Sequence, residues 1–201
     1  MWKRTEVEIM YDNICDNVEW TRADSIVFCR TKEVWGGLSN MAGGFPLCVN
    51  GIEVLTTEAL YQAMRFPNHP DIQALIIEQR SPMAAKMVGK PYRKTHNRPD
   101  WSDVRVDIMR WCLRVKLVQN EAFRELLIDT EWRDIVEQSH RDRFWGALAE
   151  DCDILRGGNM IGRLLMELHE DLELSGLPSV VMPLDVPDFS LYDEEIGPVA
   201  A

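Results

Sequence analysis

The stretch Leu47-Cys48-Val49-Asn50-Gly51-Ile52-Glu53-Val54-Leu55-Thr56-Thr57-Glu58-Ala59-Leu60-Tyr61-Gln62-Ala63-Met64-Arg65-Phe66-Pro67 sets a hairpin directly before a helix. Leu47-Cys48-Val49 and Ile52-Glu53-Val54 are short β-prone runs about Asn50-Gly51, a strong two-residue turn signal. Thr56 and Thr57 offer N-cap hydroxyls and Glu58 is a first-turn acid. The helix that follows stops at Pro67.

Working outward, residues 71–80 place Ile72, Leu75 and Ile76 on one helical face. Ser81-Pro82 is an N-cap with proline at the first helical position, opening a short helix that ends at Gly89. Asp100 is placed to cap a long helix from Trp101 to Gln119, with Val104, Ile108, Trp111, Val115 and Val118 at helical spacing. Asn120 starts another, and Asn159 caps a last one with the stripe Ile161, Leu164, Leu165, Leu168 and Leu172 before Gly176. Ser25 to Arg30 is the other strand signal, and residues 134–139 fit either helix or strand. The expected class is α+β: compact, mainly helical, with a small β-sheet early in the chain. Residues 1–24 form an N-terminal extension, 25–176 the domain, and 177–201 an acidic, proline-containing tail that is poorly packed or docks as an extended strap.

The chain has 201 residues, 46% apolar and 27% charged, with a net charge of −11. That balance suits one soluble domain and argues against non-specific coating of nucleic acid, which rests on clustered Lys and Arg. The charge is uneven. Residues 86–116 hold nine basic side chains against three acids, whereas residues 170–201 hold eight acids and no Lys or Arg. The first segment reads as a solvated face or as a basic wall for an anionic ligand. The five cysteines form no CxxC pair, no signal-peptide core follows Met1, and no apolar run approaches a membrane span; a cytoplasmic, membrane-free protein is expected. His69, His96, His140 and His169 lack metal-ligand spacing, so neither metal nor cofactor is expected.

The candidate chemistry lies in turns. Trp35-Gly36-Gly37-Leu38-Ser39-Asn40 puts an aromatic beside polar groups. Arg98-Pro99-Asp100-Trp101 places a cation and an indole at a helix entrance. Asp142 sits between Arg141 and Arg143, three residues before Trp145. Gly157-Gly158-Asn159-Met160-Ile161-Gly162-Arg163 opens the final helix with free backbone N–H groups, an anion-binding arrangement. Singly, each reads as core packing, a turn or a surface ion pair; together they suggest a pocket for a planar base and a phosphorylated sugar.

In order, these blocks resemble the NADAR family, also called YbiA-like (DUF1768). The stretch Phe28…Trp35-Gly36-Gly37-Leu38-Ser39-Asn40 resembles its aromatic-Gly-x-[FL]-S-N block. Thr57-Glu58-Ala59-Leu60-Tyr61-Gln62-Ala63-Met64-Arg65-Phe66 resembles its [ST]-E-x-x-[FY]-Q-A-x-[KR]-F helix. Ser81-Pro82-Met83 through Arg98 and Trp101, then Ile135-Val136-Glu137 with Asp142-x-x-Trp145-Gly146, and finally Gly158 to Leu168 complete the similarity. Ala59 and Met64 stand where some members carry His and Gln.

The resemblance implies a metal-independent N-glycosidase cutting the ribose C1′–N bond of ribosylamino pyrimidine phosphates, intermediates of riboflavin synthesis. Its alternatives are a hydrolase of ADP-ribosylated guanine, for which nucleic acid would be a partner only as modified substrate, and a binding module for NAD or ADP-ribose without turnover. Such cleavage passes through an oxocarbenium-like sugar. Glu58, at a helix N-terminus whose dipole favours the ionised form, is expected to stabilise that cation or orient water. Asp142 is expected as water base or as partner of the ribose hydroxyls. Trp35, Trp101 and Trp145 are candidates for the base; Lys94, Arg98 and Arg163 for phosphate; Asn40 and Asn159 for ribose or base hydrogen bonds.

Overall fold

The computed structural model describes residues 18–200 and divides into two compact units. The first comprises residues 18–39 and 127–170, the second residues 40–126 and 171–200.

The first unit is built on a five-stranded sheet. Its strands are β1 (Glu19–Thr21), β2 (Ser25–Phe28), β5 (Asp134–Ser139), β6 (Ala147–Ala149) and β7 (Ile154–Arg156), in the order β1-β7-β6-β5-β2; the intervening β3 and β4 belong to the second unit. β5 pairs in parallel with both β2 and β6, and the other two pairings are antiparallel. The register sets Ile26 opposite Ile135 and Phe28 opposite Glu137. Residues 134–139 are therefore a strand, and Ile135 and Val136, on opposite faces, are both fully buried. That two-sided burial, normal for a parallel strand, removes the alternation that would have identified it in sequence. Trp20, Val136, Ala147 and Leu155 form one core cluster, with the Trp20 indole donating to the Gly157 carbonyl at 3.0 Å. The sheet thus draws on residue 19 and on strands after residue 134, beyond the early strands the sequence announced.

In the second unit, β3 (Leu47–Val49) and β4 (Ile52–Val54) pair antiparallel, with Asn50 and Gly51 at φ +51° and +74°, as a type I′ turn requires. Four helices follow inside this unit: α1 (Thr57–Ala63), α2 (Pro70–Ile77), α3 (Pro82–Gly89) and α4 (Trp101–Gln119). α5 (Glu121–Ile128) and α6 (Met160–Ser175) complete the set among the described residues. The Ser81 hydroxyl caps α3 through the Ala84 N–H, as its sequence predicts. Asp100 precedes α4 but makes no side-chain cap, because its carboxylate is held by Arg98.

The C-terminal segment is a docked strap. It contains four two-residue strands, β8 (Val180–Val181), β9 (Ser190–Leu191), β10 (Glu194–Glu195) and β11 (Val199–Ala200). Val181, Phe189, Leu191, Ile196 and Val199 are all buried. The Trp111 indole of α4 donates to the Met182 carbonyl at 3.1 Å and meets the Phe189 ring edge-on at 4.9 Å. Few apolar residues suffice here because each is spaced to enter the unit's core, and each contributes about 1.5–3 kcal/mol on burial.

Candidate active site

Glu58 is a buried carboxyl in the second unit. The Thr56 hydroxyl caps α1 by accepting the Ala59 N–H, which fixes Glu58 in the first turn. Its backbone N–H donates to the Asn40 carbonyl at 3.2 Å, and the Asn40 amide donates to Oε2 at 2.5 Å. One helical turn on, the Gln62 amide donates to Oε1 at 2.8 Å. Glu58 is 2% exposed, yet Lys86 of α3, 46% exposed, brings Nζ to 3.9 Å from Oε1. The carboxylate therefore lies just beneath the surface, under a lysine that reaches solvent. Arg93 donates to Gln62 Oε1 at 3.1 Å and to the Lys86 carbonyl at 3.3 Å, while Arg65 lies on the Trp101 ring at 4.0 Å.

Burial pushes the Glu58 carboxyl above the usual carboxylate range, opposed in turn by Lys86, the Gln62 hydrogen bond, Arg65 and Arg93. This reverses the direction expected from the helix dipole. Desolvation of a fully buried carboxyl can shift a pKa by several units, and a one-turn dipole effect of about 0.3–1 kcal/mol does not offset it.

Of three further sequence candidates in this unit, two have other work. Arg98 is 5% exposed and holds Asp100 through two contacts at 2.6 and 2.9 Å; its Nη2 also donates to the Pro187 carbonyl at 2.6 Å. A guanidinium so committed is a structural clamp rather than a phosphate ligand. Trp101 is 7% exposed, with Tyr61 at 5.0 Å and Arg65 on its ring, so its indole packs internally instead of offering a face to a base. Lys94 stands exposed at the end of a 3₁₀ turn, Lys90–Lys94.

In the first unit, Asp142 is exposed and builds its own loop. Oδ1 accepts the Phe144 and Trp145 N–H groups at 3.0 and 2.9 Å, and its N–H donates to the Ser139 hydroxyl at 3.0 Å. The carbonyls of that loop then occupy the start of α6. Gly158, Asn159, Met160 and Ile161 donate to Arg143, Gly146, Phe144 and Trp145 at 2.6–3.1 Å. The N–H groups read as an anion site are thus satisfied by protein, as buried donors must be.

Asn159 is likewise consumed. Fully buried at φ +49°, it accepts the Glu137 N–H at 3.0 Å and donates to the Ile135 carbonyl at 2.8 Å, clamping α6 to β5. The next turn has no room for a side chain, since a Cβ on Gly162 would fall 1.9 Å from the Ile135 carbonyl oxygen. Arg163 donates to the Gly158 carbonyl at 2.8 Å and lies 5.5 Å from the Trp20 ring. Trp35, beside the 3₁₀ turn Gly36–Leu38, and Trp145, edge-on to Phe144 at 5.1 Å, keep half-exposed rings.

Of the ten candidates, Asn40 and Glu58 are brought into direct contact. Gln62, Arg65, Lys86 and Arg93 complete their surroundings and were missed as site residues. Gln62 and Arg65 follow Glu58 by four and seven positions, the spacing of one helical face, and Lys86 and Arg93 lie in the basic segment.

A family model described as the NADAR domain matches residues 27–173. The chain is 33% identical over 158 residues to N-glycosidase YbiA of Escherichia coli, covering 78% of this chain and 94% of the relative. It is 30% identical over 155 residues to an N-glycosidase of Nostoc punctiforme, covering 74% and 92% respectively. A riboflavin biosynthesis protein of Vibrio vulnificus is 31% identical over 150 residues, 74% of this chain and 38% of that one. The NMR structure of E. coli YbiA superposes with a TM-score of 0.66 at 33% identity, covering 76% of this chain and 87% of that chain.

Proposed function

The chain belongs to the NADAR family and is an N-glycosidase, and on that premise we propose that it hydrolyses the ribose C1′–N bond of ribosylamino pyrimidine phosphates. The observation that carries this reading is Glu58: a buried carboxyl held on both oxygens by amide donors, with Lys86, Arg65 and Arg93 contributing three positive charges around it. One acid among three cations favours a substrate that brings its own negative charge, and a sugar phosphate does. The riboflavin-related name of one relative supports the pyrimidine class.

In this mechanism Glu58, ionised, takes the proton of a water whose oxygen attacks C1′. The C1′–N bond breaks with its electron pair going to nitrogen, which takes up the proton gained by Glu58 and so restores the carboxylate. A raised pKa suits that task, because a base works best when its pKa approaches the operating pH. The same negative charge stabilises the oxocarbenium-like sugar. Lys86 and Arg93 are assigned to the phosphate. Asp142 has one oxygen committed to its loop, so the water is assigned to Glu58.

The test is a panel of ribosylamino pyrimidine phosphate, ADP-ribosylated guanosine and NAD, with products identified by mass. Release of the free aminopyrimidine is expected. Release of ADP-ribose and guanosine alone would move the assignment to ADP-ribosylated guanine, and binding without any product would remove the enzyme reading.

A further inference from the structure

The strap lies beyond residues 27–173, the stretch that the family model matches. Several of its hydrogen bonds nonetheless lead, directly or through one side chain, to the segment that ends the helix carrying Glu58. The Gln73 side chain, fully buried on α2, is the central link. Nε2 lies 3.4 Å from the Ala63 carbonyl, on the last residue of α1, and 3.1 Å from the Ser190 carbonyl. Oε1 accepts the Tyr192 N–H at 2.7 Å. The Ser190 hydroxyl donates to the Pro67 carbonyl at 3.1 Å. Arg98 makes a parallel link: its side chain donates to the Pro187 carbonyl at 2.6 Å, and its backbone N–H to the Arg65 carbonyl at 2.8 Å.

Directly from Ser190, or through Gln73 and Arg98, these ties lead to residues 63–67, the last residue of a seven-residue helix and the turn that follows it. A helix that short does not hold its own end in place, because few intrahelical bonds offset the ordering cost. Gln62 and Arg65 lie at that end.

We propose that the strap is a positioning element for the catalytic centre: residues 187–192, through Gln73 and Arg98, fix the end of α1 and so hold Gln62 and Arg65 against Glu58. This rests on the assignment of Glu58 as the catalytic carboxylate. The charged and titratable groups around Glu58 are Lys86 of α3, Arg93 of the 3₁₀ turn, Arg65 and Tyr61 of the α1 segment, and Cys112 of α4. Of these, Arg65 is the one whose own carbonyl takes part in a tie, through Arg98.

The experiment uses the full chain with Gln73→Met, which keeps the shape and removes the ties, and Val199→Ala, which shortens a buried strap residue with no part in them. Rates across pH and amide hydrogen exchange over residues 60–66 are measured on both. For Gln73→Met, kcat should fall roughly ten- to a hundredfold, as expected when a positioned group shifts by about 1 Å. The acid limb of kcat/KM should move to higher pH as Arg65 loosens, and exchange over 60–66 should quicken. Val199→Ala should leave all three at the wild-type values. Unchanged exchange over 60–66 in a folded Gln73→Met overturns the proposal, as does an equal loss of rate in Val199→Ala. Should Gln73→Met not fold, Ser190→Ala removes the single tie to Pro67 and is read the same way. Glu58→Gln, assayed alongside, separates the two assignments: full activity there removes the catalytic role of Glu58, while the exchange data still decide whether the strap holds the helix.

Discussion

Replacing Glu58 by Gln tests the mechanism with the least disturbance. Gln keeps the volume but turns one acceptor oxygen into an amide donor. Asn40 and Gln62 each donate to the native carboxylate, so one must reverse its amide to accept the new N–H. Gln62 Oε1 already accepts from Arg93, which leaves Asn40 to turn. One hydrogen bond is then exchanged for another, at a cost within about 0.5–1.5 kcal/mol. Against this stands relief from burying a charge. Because the folded-state pKa of Glu58 is raised, the folded protein binds that proton more tightly than the unfolded chain. Its stabilising effect is present at acid pH and lost as pH rises through the folded-state value. Glu58→Gln should therefore gain stability relative to wild type as pH rises from 4 to 8, measured by thermal unfolding at each pH. Turnover should fall by at least about a hundredfold, the order seen when a transition-state charge partner is removed. In wild type, the acid limb of kcat/KM should lie above the ordinary carboxylate range. The reasoning is refuted if the folded variant keeps more than about a tenth of the rate, which corresponds to about 1.4 kcal/mol of barrier.

Asn159→Ala should cost several kcal/mol, because it strands the Ile135 carbonyl and Glu137 N–H at about 1–3 kcal/mol each and puts alanine at a left-handed φ; denaturant unfolding measures this, and a loss below 1 kcal/mol would show the clamp to be dispensable. Trp145→Ala should raise KM about tenfold if its half-exposed ring stacks on a base, since such stacking is worth about 1–3 kcal/mol; a wild-type KM in the folded variant limits Trp145 to holding its loop. Prolonged chelation should leave the rate unchanged, because the proposed steps use Glu58 and bound water; loss of activity restored by one divalent ion would overturn them.

Local chemistry made several parts of this molecule legible in the chain itself. Asn50-Gly51 specifies its turn through two left-handed residues, Ser81-Pro82 starts α3 by a hydroxyl cap and a fixed φ, and periodic apolar residues bound α4 at Trp101 and Gln119. The acid at the start of α1 was marked by the same kind of signal, with Gln62 and Arg65 at helical spacing behind it. What those signals do not contain is the identity of distant partners. Residues 134–139 became a strand because β2 and β6 flank them, and the N–H groups opening α6 were taken by carbonyls of residues 143–146. Arg98, Trp101 and Asn159 looked like ligand-binding groups, and tertiary contacts turned each inward. The strap followed the same logic: its acids and prolines were visible, but the burial of Phe189 and Leu191 depended on Trp111 and Gln73, more than seventy residues away. Glu58 shows the division most sharply. Its position in the first turn was fixed by neighbours three residues away or fewer, whereas its pKa was set by desolvation, which belongs to the surrounding fold and not to the residue.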